Sequence, residues 1–435
     1  MIVSCAVIHF KSDTIKTLLL SILFFVGAKV MAQPNCSAPA TGFIPINDLG
    51  KGTFTNAWGF AWEGGLYPQG SNFLPSAHKL TGMQLASQVQ CLDATGKPDA
   101  LNGRIVWLSI GMSNGTQETQ QFIPIANAFA GKNPKLILVD GAQGGQTAAN
   151  ISSPANVNYT TFWNTVNTRL ANSGVTAKQV QVIWLKEADV ANVPIRVYYD
   201  SIVVRFKRIA NELKIRYPNV RLCYMASRIS ARYASSNLNP EPFSYYTGWA
   251  IKKVIEDQIN GDAKLVCSGN HAKSPWLSWG TYTWTDGSSP QLTNPTVFWN
   301  CETDFQNDGT HPSTAGAKKV GNLLLNFFST DSTSVQWFTG KGCPVPTSTG
   351  DRIIPEKYMY IYPNPVRDHL TIQFAQEIKN GKLIFYDGYG KTILKREKLN
   401  GQFLTFERAN LPGGICFVKV YSGDKLYLTQ KILIE

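Results

Sequence analysis

RIVWLSIGMSNG, residues 104–115, decides how this chain is read. Arg104–Ile110 is a short apolar run that stops at a glycine turn. A continuous apolar run of this length, bounded by a turn, reads as a β-strand buried on both faces. Three more runs of the kind follow: KLILV at 135–139, VQVIWL at 180–185 and VRLCYMA at 220–226. Between them, 116–130, 160–172 and 196–215 carry helical patterning. In the last, Ile202, Phe206, Ile209 and Leu213 fall on one face. Buried strands alternating with helices predict an α/β fold, a parallel sheet covered by helices on both sides. PSTAGAKKVGNLLLNFF, 312–328, reads as a closing amphipathic helix with Pro312 at its start.

On the N-terminal side, residues 33–100 are rich in Gly, Pro, Asn and aromatics and read as loops with short strands. On the C-terminal side, KGCPVPTSTGDRIIPEK at 341–357 has no periodicity and reads as a linker. Beyond it, apolar segments at 370–374, 382–386, 403–406, 415–421 and 426–434 alternate with Gly or Asn turns, the pattern of a small all-β sandwich. The predicted organisation is a leader over 1–32, an α/β domain with a loop-rich extension over 33–340, a linker over 341–358 and a β domain over 359–435.

Composition narrows the function classes. With 435 residues, 43% hydrophobic and 16% charged, the chain has material for two or three cored domains and is not a disordered polymer. The most apolar run, TLLLSILFFVG at 17–27, is about half the ~20 residues a membrane-spanning helix needs, so no stable span is expected. Preceded by Lys11 and Lys16 and followed by Val30-Met31-Ala32, it reads as a secretory leader cut after Ala32. Its loss lowers the formal charge from +12 to +10. The remaining charges are scattered without a one-sign block, which excludes nucleic acid as the expected partner. Of the eight cysteines Cys5 leaves with the leader. No Cys-x-x-Cys occurs, so no zinc or thioredoxin-type site is expected. Export permits disulfides. Cys36–Cys91 and Cys267–Cys301 are candidate pairs, although spacing does not fix connectivity. The odd number leaves at least one free thiol, and Cys223 and Cys416, inside strand-like runs, read as core.

Histidine limits the chemistry. After the leader only His78, His271, His311 and His369 remain, and His369 lies in the β domain. His311 stands in NDGTHPS, three residues after Asp308, where the carboxylate can meet the imidazole while its other nitrogen faces a pocket. Ser113 follows the first strong strand at a glycine turn, on the carboxyl edge where open α/β sheets bind ligands. A nucleophile, a base and a carboxylate that orients the base are the parts of serine hydrolysis. GAQGGQT, 141–147, follows the second strand, and Gly145 is the expected backbone donor to an oxyanion beside the N–H of Ser113. Asn114, Gln146 and Glu187 are candidate supporting or substrate-binding residues. Glu187 and Asp189 also read as structural groups holding a strand-end loop. His78 and His271 read as loop histidines. Trp276, Trp279, Trp284 and Trp299 read either as sugar-stacking rings or as packing under a long loop.

These residues resemble the SGNH (GDSL-like) hydrolase superfamily, carbohydrate O-acetylesterase branch. Gly111-Met112-Ser113-Asn114 resembles its Gly-Gln-Ser-Asn motif, Gly144-Gly145-Gln146-Thr147 its Gly-Gly-Thr block, and Asp308 with His311 its closing Asp-x-x-His. Trp184 to Asp189 resembles, one residue short, the Trp-x-Gln-Gly-Glu-x-Asp block. The resemblance covers about 100–330 and implies a three-layer flavodoxin-like fold and ester hydrolysis without metal or other cofactor. The chain departs from it at two points. Met112 replaces a polar residue, and Leu185, Lys186 and Glu187 stand where the family carries an Asn or Gln side-chain donor.

The β domain resembles a type IX secretion sorting domain of Bacteroidetes-type bacteria. YIYPNPVRDHLTIQF at 360–374, YDGYGK at 386–391 and LPGGICFVKV at 411–420 with the terminal KILIE match its segments in order. The resemblance implies type IX secretion machinery as a partner and delivery to the cell surface or the medium. The resulting expectation is an exported serine esterase acting on an acetylated carbohydrate, with Ser113, Asp308 and His311 as its catalytic set. The alternatives are an SGNH-fold glycan-binding surface protein and an esterase for lipid or other acyl esters.

Overall fold

The computed structural model describes residues 34–340, 342–343, 359–362, 365–387, 390–408, 411–422 and 425–435. The expected leader, and the expected linker apart from Gly342 and Cys343, lie outside the described residues.

Five parallel strands form the first sheet: β1 (Ile105–Gly111), β2 (Leu136–Asp140), β3 (Val180–Lys186), β4 (Leu222–Met225) and β5 (Trp276–Trp279), in the order β2-β1-β3-β4-β5. This is the flavodoxin-like order, with the reversal of direction at β1. Its helices are α1 (Ser76–Ser87), α2 (Ser113–Ala128), α3 (Tyr159–Asn172), α4 (Ile195–Arg216), α5 (Phe243–Ile259) and α6 (Thr314–Thr330). Side chains alternate across a strand, so β1 feeds two cores. Val106, Leu108 and Ile110 pack against Phe162 of α3, Phe206 of α4 and Val254 of α5. Trp107 faces the other way with Trp184 and Tyr224, against Phe122 of α2 and Phe328 of α6. The Trp107 and Trp184 rings lie nearly parallel at 6.2 Å, and Phe328 meets Trp107 edge-on at 5.9 Å. The three layers follow from the sequence pattern, and α4 buries Ile202, Phe206, Ile209 and Leu213, the four residues that share its apolar face. α6 begins two residues past Pro312, at Thr314, and the hydroxyl of its N-cap Ser313 accepts the Gly316 N–H at 3.1 Å.

Several local expectations change. α5 and β5 lie where no element was expected. Trp276, Trp279, Trp284 and Trp299 are at most 2% exposed. Each indole N–H is satisfied inside, by His78 O, Leu66 O, Glu241 Oε1 and Thr283 O respectively. They are core, and none has a face open to a sugar. His78 is no loop residue. It sits on α1, buried, with Nε2 2.8 Å from Leu277 O and its ring stacked on Trp276. His271 lies in an exposed turn as expected. Residues 34–100 are mainly irregular, with α1 and a small hairpin of Thr53–Thr55 and Ala61–Glu63.

The disulfides are Cys36–Cys301 and Cys91–Cys343, which corrects both candidate pairs; Cys267 is a free thiol. Asn35 N–H bonds to the carbonyl of Tyr233, whose ring packs on Phe305, laying the N-terminal segment near the short helix Cys301–Asp304. Asn133 N–H bonds to Phe338 O, bringing the end of the α/β domain back toward the base of β1. Tertiary folding of loops decides this pairing, and sequence spacing carries no record of it. Cys223 and Cys416 are buried free thiols, as read.

The C-terminal residues form a separate antiparallel sheet of β6 (Met359–Tyr362), β7 (His369–Asp387), β8 (Thr392–Glu407), β9 (Gly414–Ser422) and β10 (Lys425–Ile434). β7 pairs with β8 along its length, with β6 over its first part and with β9 over its last. The segments expected as separate strands at 370–374 and 382–386 are the two ends of β7. Both ends contribute to one core, Leu370 and Ile372 with Leu383 and Phe385, closed by Val418 and Val420.

Candidate active site

Strand β1 ends against β3 so closely that a Cβ on Gly111 would stand 2.1 Å from Lys186 O; only glycine fits. The next N–H, of Met112, bonds to that same carbonyl at 3.2 Å. The chain then turns directly into α2, whose first residue is Ser113. Met112 at the N-cap supplies no side-chain acceptor, so the first turn of α2 keeps unsatisfied N–H groups at the positive end of the helix. Among the described residues, no protein acceptor faces the N–H of Ser113 or of Gly145.

His311 comes from the loop before α6. Gly309 holds φ at +63° and passes so near Tyr233 O that any side chain would collide with it. Ser235 N–H bonds to Asp308 O at 3.0 Å, pinning the same turn. The loop delivers His311 Nε2 to 2.7 Å from Ser113 Oγ, while His311 Nδ1 lies 2.5 Å from Asp308 Oδ2. A ring nitrogen facing a carboxylate carries the proton, which leaves Nε2 as the acceptor for the serine. Asp308 Oδ1 also accepts the backbone N–H groups of Thr310 and His311, both at 2.9 Å. Partial burial pushes the Asp308 carboxyl up, but the His311 side chain and these two N–H groups overcome it and hold it at about 2. Ser113, Asp308 and His311 are thus brought together from two sequence-distant loops.

Asn114 is buried under this set; its Nδ2 donates to Thr310 O at 3.1 Å, and Arg228 Nη2 donates to the same oxygen at 3.0 Å. Two donors on one carbonyl fix the residue before His311. The glycine loop after β2 lies beside the serine. Gln143 N–H bonds to Gly111 O at 2.8 Å, and a side chain at Gly144 would start 3.9 Å from Ser113 Cβ. Gly145, next in the chain, is exposed with open space around it. The Gln146 side chain accepts from Asn150 at 3.3 Å and makes no hydrogen bond to Ser113, His311 or Asp308.

The loop after β3 is structural. Asp189 accepts Ala149 N–H at 2.9 Å and pairs with Arg205 at 2.5 Å, stitching it to the segment after the glycine loop. Glu187 is fully buried, with one oxygen on Ala188 N–H and the other unpartnered. Burial drives its carboxyl well above the usual carboxylate range, and it makes no hydrogen bond to Ser113, His311 or Asp308. Lys186 turns into the core, where its ammonium donates to both oxygens of Glu118 at 2.7 Å. The Glu118–Lys186 pair escaped the sequence reading because each member lies inside an otherwise helical or apolar stretch, and Arg228 because it sits in an irregular segment after β4 with no local motif.

Residues 360–435 match the family described as secretion system C-terminal sorting domain. That domain directs export across the outer membrane, to the cell surface or the medium. Among the described residues, no helix is long and apolar enough to cross a membrane. No curated protein matches the chain. Among solved structures, PorZ, a surface component of the type-IX secretion system of Porphyromonas gingivalis, is 21% identical over 18% of this chain, at TM-score 0.15; the chain spans 11% of its length. A putative SGNH hydrolase from Slackia heliotrinireducens is 14% identical over 52% of this chain and 99% of its own, at TM-score 0.29. A carbohydrate acetylesterase from Xanthomonas citri is 9% identical over 76% of this chain and 79% of its own, at TM-score 0.31. At these scores the site is judged by its own geometry.

Proposed function

We propose that the protein is an exported serine esterase of SGNH type that removes O-acetyl groups from a carbohydrate. The observation that carries this is the relay Ser113 Oγ to His311 Nε2 at 2.7 Å and His311 Nδ1 to Asp308 at 2.5 Å, set at the carboxyl edge of β1 where the strand order reverses. Ser113 Oγ attacks the ester carbonyl carbon while His311 Nε2 takes its proton. The developing oxyanion accepts from the backbone N–H groups of Ser113 and Gly145, which have no protein acceptor among the described residues. His311 returns the proton to the departing sugar hydroxyl, leaving an acetyl-serine. Water, deprotonated by His311, then releases acetate. Asp308 stays ionised throughout and stabilises the imidazolium. Leu185, Lys186 and Glu187 stand where the family carries its third donor, and the Lys186 ammonium is committed to Glu118, so two backbone donors carry the oxyanion.

The test combines labelling and turnover. A fluorophosphonate should modify the protein at Ser113, located by peptide mass mapping, and the protein should release acetate from acetylated xylan. Ser113→Ala should lose the label and roughly 10⁴–10⁶-fold of turnover with the fold intact. Absence of both labelling and acetate release from the unmodified protein would sink the proposal in favour of a glycan-binding role.

A further inference from the structure

A second feature lies outside the Ser113–His311 site. An open groove of about 430 Å³ runs between the Thr53–Glu63 hairpin and the outer sides of α4 and α5. Its rings are Trp58, Trp62 and Tyr199, with buried Trp249 beneath. Trp62 lies 4.6 Å from Tyr199 and 5.3 Å from Trp58, centroid to centroid. The first three are partly exposed, unlike the four tryptophans at 276–299.

The hairpin tip is fixed. Asn56 Oδ1 accepts the N–H groups of Trp58 and Phe60 at 3.1 and 2.9 Å, and Ala57 N–H donates to Tyr246 Oη at 2.7 Å. The rings are therefore presented on a rigid turn, which lowers the ordering cost of binding. Polar groups stand around them. Lys252 bonds to Tyr67 O at 3.2 Å and to Glu256 at 2.5 Å, while Arg196 lies 5.4 Å over Trp58 and 3.7 Å from Asp200. The Glu63 carboxylate lines the groove, exposed, and has no hydrogen-bond or ion-pair partner among the described residues. Each cation at the groove is already paired, Lys252 with Glu256, Lys253 with Asp257 and Arg196 with Asp200, so none is free to draw an anion and the groove suits an uncharged ligand. Aromatic faces are electron-rich and attract the polarised C–H bonds of a pyranose. The free Glu63 carboxylate at the rim accepts from its hydroxyls. Tyr199 sits in the first turns of α4, which begins at the sheet edge bearing Ser113.

We infer that this groove binds an uncharged pyranose of a polysaccharide, as a sugar-binding site separate from Ser113. The inference needs no esterase activity, and its test reads binding alone. The full-length Ser113→Ala protein is titrated calorimetrically with xylohexaose, mannohexaose and polygalacturonate. Saturable binding of a neutral hexaose, weakened at least tenfold by Trp58→Ala and also weakened by Glu63→Gln, supports it. Glu63 is exposed and unpaired, so its variant keeps the test alive should Trp58→Ala fold poorly. No binding of either neutral sugar, binding of polygalacturonate alone, or binding unmoved by either substitution overturns it. Binding without acetate release by the unmodified protein would retain this site and dismiss the esterase reading.

Discussion

The buried pair of Glu118 and Lys186 gives an asymmetry that can be measured. Both side chains are fully buried, and Lys186 Nζ donates to both carboxylate oxygens at 2.7 Å. Burial pushes Glu118 up and Lys186 down, and each partner opposes the other's shift. Arg228 acts on both with its positive charge, favouring ionised Glu118 and disfavouring charged Lys186. Removing one member of such a pair leaves an uncompensated buried charge and costs about 3–5 kcal/mol. Glu118→Leu leaves buried Lys186 without its carboxylate and facing the like charge of Arg228, so it belongs at the upper end, about 5 kcal/mol. Lys186→Met leaves Glu118 with Arg228 as a remaining partner, at about 3 kcal/mol. The double variant buries no unpaired member of the pair and should lie within about 1 kcal/mol of the parent. Urea unfolding followed by tryptophan fluorescence gives the energies, and the single variants should melt roughly 6–20 °C lower. Lys186→Met proving the worse single variant, or a double variant as unstable as the worse one, would refute the assignment of Arg228 as the deciding charge.

Gly111→Ala drives a methyl group against Lys186 O and should cost about 1–3 kcal/mol of stability. Because Ser113 follows two residues later, acetate release should fall on the order of 10²-fold; unchanged turnover in the folded variant would contradict the geometry. Asp308→Ala should lower turnover by about 10⁴-fold, less than Ser113→Ala, because an imidazole without its carboxylate can still accept a proton. The Asp308 carboxyl is held at about 2, below the value near 4 of an unfolded chain. Its stabilising contribution is therefore complete above about pH 4 and is lost as pH falls through about 2. In acid titrations followed by circular dichroism, the stability gap between the parent and Asp308→Ala should hold constant above pH 4 and close toward pH 2; a gap that widens on acidification would reverse the sign.

The sheet was legible where its strands announce themselves. RIVWLSI, KLILV, VQVIWL and VRLCYMA are apolar on both faces because helices cover both faces, and each became a strand within two residues of its expected ends. β5 was hidden because WLSW is four residues long and sits among tryptophans that suggest a ligand surface. α5 was hidden for a related reason: FSYYTGWAIKKVIEDQI is buried nearly all round in its first half, which erases the one-sided pattern that marks a surface helix. The groove aromatics had the opposite problem. Trp58 and Trp62 lie in a stretch that composition described as loops, and only a hairpin stitched by Asn56 brings them beside Tyr199, more than a hundred residues on.

At the candidate site, the Asp308–His311 contact was legible because an Asp-x-x-His turn closes on itself locally. The contact with Ser113 spans the whole sheet and depends on β1 being the strand at which the order reverses. Lys186 shows what a motif reading leaves out. By position in the resembled block it stands where a side-chain donor is expected, yet its strand-end side chain enters the layer between β3 and α2 and pairs with Glu118, one turn beyond Asn114. The residue that resembles a site position is thus occupied with holding α2 against β3. The same contact region contains Lys186 O, which receives Met112 N–H and excludes a side chain at Gly111. On the proposed mechanism, stability and catalysis are coupled through one residue. A change that turned Lys186 toward the pocket as a donor would strip Glu118 of its partner and loosen the turn that aims Ser113, so in the proposed esterase the backbone N–H groups at Ser113 and Gly145 remain the donors that the fold can spare.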